Sequence, residues 1–136
     1  MMEKVIDEMR LPIGINEQSA EPLYFQIEVQ LRALIISGTL QAGTLLPSIR
    51  ELASQLKCSV ITIKRVYSDL ETEGLLRTKQ GTGTYVSHVE EQSREEHRHG
   101  VVIEAIDHLL EAAKRVQCSR QELEQLIQEK LKEYDD

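Results

Sequence analysis

From Glu21 to Ser37 the apolar residues Ile27, Leu31, Leu34 and Ile35 recur at i, i+4, i+7 and i+8, which places them on one face of a helix. Pro22 stands in the first turn, where proline is best tolerated, and Ser37 with Gly38 ends the segment. "TLQAGTLLP" then reads as an irregular connector punctuated by Gly43 and Pro47. In "SIRELASQL", Ser48 and Glu51 have the spacing of a capping box, in which a serine oxygen and a glutamate satisfy amides that a helix start leaves without partners. A short helix from Ile49 to Leu56 is therefore predicted. Ser59 is a second N-cap, followed by Ile63, Val66, Tyr67 and Leu70 at i, i+3, i+4 and i+7, with Gly74 as the left-handed stop.

Residues 48–74 thus form two helices joined by a turn of a few residues, the helix-turn-helix layout. After them, Leu75 to Lys79 and Thr84 to Ser87 predict two short strands around "QGTG", where Gly81 and Gly83 give the freedom a tight hairpin needs. A phosphate-cradling nucleotide loop has the opposite context: it follows a strand and opens a helix, and it requires a Gly-Lys pair that this chain lacks. The expected unit is a winged helix-turn-helix, its hairpin tip reaching a nucleic-acid backbone, against the plainer reading of a structural hairpin.

Beyond the polar stretch "SHVEEQSREEHRHG", Val102, Ile106, Leu109, Ala113 and Val116 recur at heptad-like spacing, with Ile103 and Leu110 widening the apolar face. "SRQE" from Ser119 to Glu122 is another capping-box match, and Leu123, Leu126, Ile127, Leu131 and Tyr134 predict a second amphipathic helix. Two such faces beside a small domain need something to cover them. A second copy of the chain would do so through Val102, Ile106, Leu109, Leu110, Ala113, Leu123, Leu126 and Ile127; folding back on the first domain is the alternative. The fold class is α+β, mainly α, with four segments: an N-terminal extension over residues 1–12, the winged helix-turn-helix over 13–87, a linker over 88–100 and a helical dimerisation module over 101–136.

The formal net charge of -7 is unevenly spread. Residues 21–87 hold seven Lys/Arg against six Asp/Glu, whereas residues 88–136 hold seven against thirteen. The acidic total is therefore compatible with a nucleic-acid partner, because the local field of the contacting face decides, and it implies weak non-specific binding. No apolar h-region can be drawn through Glu3, Lys4, Asp7, Glu8 and Arg10, and no uncharged run is apolar enough to span a membrane; a soluble, cytoplasmic protein is expected. Cys58 and Cys118 stand sixty positions apart, which suits neither a disulfide framework nor a zinc site.

With Ile63 at the centre of the buried face, Ile61, Lys64, Arg65 and Ser68 point outward and Thr62 lies on the flank. Lys64 and Arg65 can reach phosphates or guanine edges, Thr62 a phosphate or base, and an outward Ile61 can cover a thymine methyl. Solubilising a helix surface is the bland reading of the two cations, but an outward isoleucine is a poor solubiliser. Ser48 and Arg50 at one helix start, Ser59 at the next, and Lys79, Gln80, Gly81, Thr82 and Gly83 on the hairpin complete the candidate contact set.

"PLYFQI", "GTLQAG", "LPSIRELA", "TIKRVYSDLETEGLL" and "GTGTYV", in this order and spacing over about residues 13–87, resemble the N-terminal DNA-binding domain of GntR-type bacterial transcription regulators. The two short helices that follow look like the reduced dimerisation module of the YtrA-like subfamily. By that resemblance Arg50, then Ile61, Thr62 and Lys64, and Gly81 contact DNA, and the chain is a homodimeric, operator-binding regulator, more often a repressor. Two other readings stay open at this stage: a winged-helix adaptor for a basic protein, and a ligand- or metal-responsive sensor using His88, His97 and His99. No catalytic nucleophile with its base can be assembled, and no cofactor or resident metal is expected.

Overall fold

The computed structural model describes residues 9–134. Five helices and one antiparallel hairpin succeed each other as α1 (Leu23–Ile36), α2 (Ile49–Leu56), α3 (Val60–Thr72), β1 (Leu76–Lys79), β2 (Gly83–Val86), α4 (Glu91–Arg115) and α5 (Arg120–Tyr134). They form two compact units, divided between Glu95 and Glu96.

In the first unit, α1, α2 and α3 bury Ile27, Leu31, Ile35, Leu52, Ile63, Val66 and Leu70 in a common core, closed at the hairpin end by Leu75, Leu76 and Val86. The apolar spacing of each helix dictates this: residues three and four apart share a face, and three such faces exclude water only by meeting. Ser48 makes both halves of its capping box, accepting from the Glu51 amide at 3.0 Å while its own amide donates to Glu51 Oε1 at 2.8 Å. Ser59 caps α3 by accepting from the Thr62 amide at 3.1 Å. Lys57 turns the chain between α2 and α3 in the left-handed region, at φ 56°.

The connector before α2 is more ordered than its irregular sequence suggests. Gly43 and Leu46 donate their amides to the carbonyls of Val86 and Thr84, Val86 donates to Thr44, and Leu45 bridges Tyr85. The hairpin therefore carries a third extended segment along β2. Side-chain alternation over so short a stretch is too weak a signal to reveal it, because only the pairing with β2 defines it.

Two expected boundaries shift. The sequence reads residues 88–100 as a linker, but α4 begins at Glu91. "EEQSREEHR" consists mostly of good helix formers, Glu91 suits the positive end of the helix dipole and pairs with Arg94 at 3.6 Å, and the cost of one internal Gly100, about 1 kcal/mol, does not stop propagation. At the other end, the extension expected over 1–12 is part of the first unit from Met9 onward: Leu11, 7% exposed, belongs to the core, and Met9, Ile13 and Ile15 pack against it. Residues 1–8 of that extension, and 135–136 of the C-terminal module, lie outside the described residues.

In the second unit, α4 ends with Gln117 in the left-handed region and Ser119 caps α5 by accepting from the Glu122 amide. Neither α4 nor α5 contains a buried residue.

Candidate nucleic-acid interface

The connector 43–47 positions the three elements that carry the candidate contacts. Its Leu46 amide holds the hairpin, and its Pro47 carbonyl accepts the Tyr67 hydroxyl of α3 at 2.7 Å. It then runs directly into the Ser48 cap of α2. Burial pushes the Tyr67 phenol far above its usual range, so this hydroxyl remains a donor at every physiological pH. A second tie joins α3 to β1, where the Thr78 amide donates to Glu71 Oε2 at 3.2 Å. The spacing between Arg50, the outer face of α3 and the hairpin is thereby set by hydrogen bonds within one unit.

On α3 the buried set is Ile63, Val66, Tyr67 and Leu70, and the outward set is Ile61, Lys64, Arg65 and Ser68, all exposed. Ile61 is 78% exposed at the first turn and belongs neither to the core nor to the side chains packed against it. Thr62 is half-buried, its hydroxyl 2.9 Å from that of Ser59, so both hydroxyls stiffen the helix start. Lys64 is exposed and makes no ion pair among the described residues. Arg65 differs: its guanidinium lies 3.6 Å from the centre of the Tyr24 ring and 3.7 Å from Asp69. It is held against α1 and α3, and so extends less freely than the sequence suggests.

Arg50 is exposed in the first turn of α2, beside the exposed Ser48. Lys79, Gln80, Gly81 and Thr82 are exposed at the hairpin tip, where Thr82 donates its amide to the Lys79 carbonyl and Gly81 takes φ 83°. Gly83, half-buried, opens β2 at φ 140°, and a Cβ there would stand 2.8 Å from Leu45 Cδ1. The left-handed φ is what favours glycine, since the Leu45 methyl is the end of an exposed side chain that can move aside. Gly83→Ala is expected to lower domain stability by about 1 to 2 kcal/mol in urea unfolding; an unchanged midpoint would mean that Leu45 and the hairpin relax freely.

His97 and His99 both lie on α4, about 200° apart around the helix, so one chain cannot bring them to a common ion. Among the described residues no group of His, Cys, Asp or Glu could hold a metal, and no helix is long and apolar enough to cross a membrane. The residues expected for dimerisation are solvent-facing in the single chain: Val102, Ile106, Leu109, Leu110, Leu126 and Ile127 are exposed, and Ala113 and Leu123 half-buried.

Sequence reasoning passed over the N-terminal strap of residues 9–16. Its signal was present in the alternation of Leu11, Ile13 and Ile15, a period of two that marks an extended segment with one face buried. The three glutamines that fasten it carry no such signal. Gln30 donates to the Gly14 carbonyl and accepts from the Gly14 amide, Gln26 does the same with Asn16, and Gln55 donates to the Met9 carbonyl at 2.8 Å.

The family model described as "Bacterial regulatory proteins, gntR family" matches residues 23–86. The chain is 40% identical over 75 residues to the HTH-type transcriptional repressor YtrA of Bacillus subtilis, a match covering 55% of this chain and 58% of that protein. It therefore spans little more than half the length of that relative. Among solved structures, YtrA from Sulfolobus acidocaldarius, a GntR-family transcription factor, is 34% identical with a TM-score of 0.53, over 70% of this chain and 97% of that one. A GntR family transcriptional regulator from Listeria monocytogenes shares the fold at 24% identity, with a TM-score of 0.71 over 85% and 98% of the two chains.

Proposed function

The chain belongs to the gntR family of bacterial regulatory proteins, and on that premise we propose that it is a dimeric, sequence-specific DNA-binding transcription regulator, a repressor of the genes beside its operator. The observation that carries this reading is the outer face of α3, where the bare Ile61 and the unpaired Lys64 stand on a helix braced from three sides, with Arg50 and a glycine-tipped hairpin on the same unit. A major groove accepts one helix, and a helix whose backbone is already fixed by its neighbours presents its outer face in a set orientation. The repressor names carried by relatives such as YtrA of Bacillus subtilis support the direction of regulation.

In this reading Arg50, Thr62 and Lys64 contact phosphates or bases, Ile61 covers a thymine methyl, and the hairpin tip from Lys79 to Gly83 follows the backbone. Ser48 and Ser59 contribute chiefly as caps that present helix-start amides to phosphates. Arg65 and Ser68 flank the contact, Arg65 constrained by Tyr24. The exposed faces of α4 and α5 meet those of a second copy, which gives the operator two half-sites related by a two-fold axis and centred about one helical turn, ~10 bp, or a multiple of it apart.

Selection of bound sequences from a random DNA pool tests the proposal; enrichment of a palindrome supports it, and recovery of no common sequence counts against it. On the selected duplex, Arg50→Ala and Lys64→Ala are each expected to weaken binding by about 1 to 3 kcal/mol while the thermal midpoint stays unchanged. Retained affinity in either variant removes that residue from the interface.

A further inference from the structure

Arg10 and Arg50, forty positions apart, line one cleft of about 540 Å³ between the N-terminal strap and the outer surface of α2. The strap is not a loose tail at this point. Leu11 is in the core, the Ile13 amide closes a tight turn onto the Leu11 carbonyl, and Gln55 of α2 grips the Met9 carbonyl. Further along, Gln30 and Gln26 each hold both backbone groups of a strap residue, in the manner of a neighbouring strand. Arg10 is therefore anchored on both sides along the backbone, while its side chain is exposed.

The charges on the cleft are unbalanced. Neither guanidinium pairs with an acid among the described residues, and Glu51, the one acid on the cleft wall, is committed through Oε1 to the Ser48 amide. Two guanidiniums without an acid partner on the wall of one cleft give it a positive potential that an anion entering the cleft would neutralise. Elsewhere in the first unit Arg32 and Arg65 are already engaged, by Glu73 and by Tyr24 with Asp69. Polar and cationic groups at the start of α2 face the DNA in the proposed function, on which this inference rests.

We propose that the strap is a second DNA-contacting element, in which Arg10 binds a backbone phosphate adjacent to the position reached by Arg50. The contact is to phosphate because Arg10 sits on the flank of α2, away from α3 and the base edges that α3 reads. It positions the domain on the duplex without adding sequence preference.

The test uses the full chain, the duplex selected from the random pool and a scrambled duplex of equal length, with binding followed by fluorescence anisotropy across a salt series. Arg10→Ala is expected to weaken binding to both duplexes by the same factor, threefold to tenfold at fixed salt on the order of one phosphate contact, and to reduce the salt slope by about 1. Arg10→Lys keeps the charge and is expected to restore most of the slope, and both variants should melt as the parent does. An unchanged slope in Arg10→Ala, or a loss confined to the selected duplex, overturns the phosphate assignment. Failure of the parent protein to prefer the selected duplex at all would instead remove the DNA-binding reading on which this one rests.

Discussion

Leu109→Asp and Leu126→Asp are each expected to turn a dimer into a monomer in sedimentation velocity. Both leucines are exposed in the single chain, on α4 and α5, so the substitutions remove nothing from the core of the first unit. In the proposed dimer each change places two carboxylates, one per protomer, into an apolar interface, at a cost of several kcal/mol. No rearrangement within the protomer offsets this, because neither helix has a buried face of its own. Operator affinity should fall with the dimer. Joining two half-site contacts makes the second effectively intramolecular, so a monomer loses on the order of 10²- to 10⁴-fold in apparent affinity at low protein concentration. Thermal unfolding of the helix-turn-helix unit serves as the control and should not move. If both variants still sediment as dimers, the C-terminal helices are not the interface.

Glu28→Gln is expected to stabilise the first unit above neutral pH and to have little effect near pH 5. Glu28 lies on α1 at 6% exposure, with Arg32 Nη2 3.7 Å from Oε1 and no donor for Oε2 among the described residues. Arg32 gives its short contacts, 2.9 and 2.7 Å, to Glu73 instead. The neighbour of Glu28 across the α1–α3 contact is Asp69, itself 3.7 Å from Arg65. Burial first, and then the hydrogen bond with Asp69, raise the Glu28 carboxyl from 4.5 to about 7. A proton on Glu28 supplies the donor that the paired acids otherwise lack.

A carboxyl whose value is raised on folding binds its proton more tightly in the native state, so the native state gains between the two values and that gain is lost as pH rises through the higher one. Stability should therefore decline from about pH 4.5 to about pH 7 and level off beyond, by about 3 kcal/mol from Glu28. The amide introduced by Glu28→Gln would stay neutral and donate to Asp69 throughout. The difference in urea stability between the variant and the parent should grow across that window; a difference that is flat from pH 5 to pH 8 would show that Glu28 ionises normally in the folded protein.

The sequence by itself determined the local elements of the first unit. Ser48 with Glu51, and Ser59 before a periodic apolar run, specify helix starts through contacts three residues long, and Gly74, Gly81 and Gly83 mark backbone conformations that other residues resist. These signals are legible because the partners are close in the chain. It likewise identified the outward stripe on α3, since burial of Ile63 and Val66 leaves Ile61 and Lys64 no other direction. The apolar faces of α4 and α5 were readable as well, whereas the helical start at Glu91 was not, because a polar run of helix formers resembles a linker until it is joined to a longer helix.

Only the tertiary structure decided how these pieces are held and which charges remain available. Tyr67 on Pro47, Leu46 on Thr84 and Gln55 on Met9 connect residues 20 to 46 positions apart, and nothing in the spacing of the chain names such partners. The same holds for the three guanidiniums. Arg32, Arg50 and Arg65 look alike in sequence, yet Glu73 occupies the first, Tyr24 restrains the third, and Arg50 stays exposed on the cleft that Arg10 also lines. A charge is free or committed according to what the fold brings within reach of it, and that distance is a property of the packed core rather than of the residue.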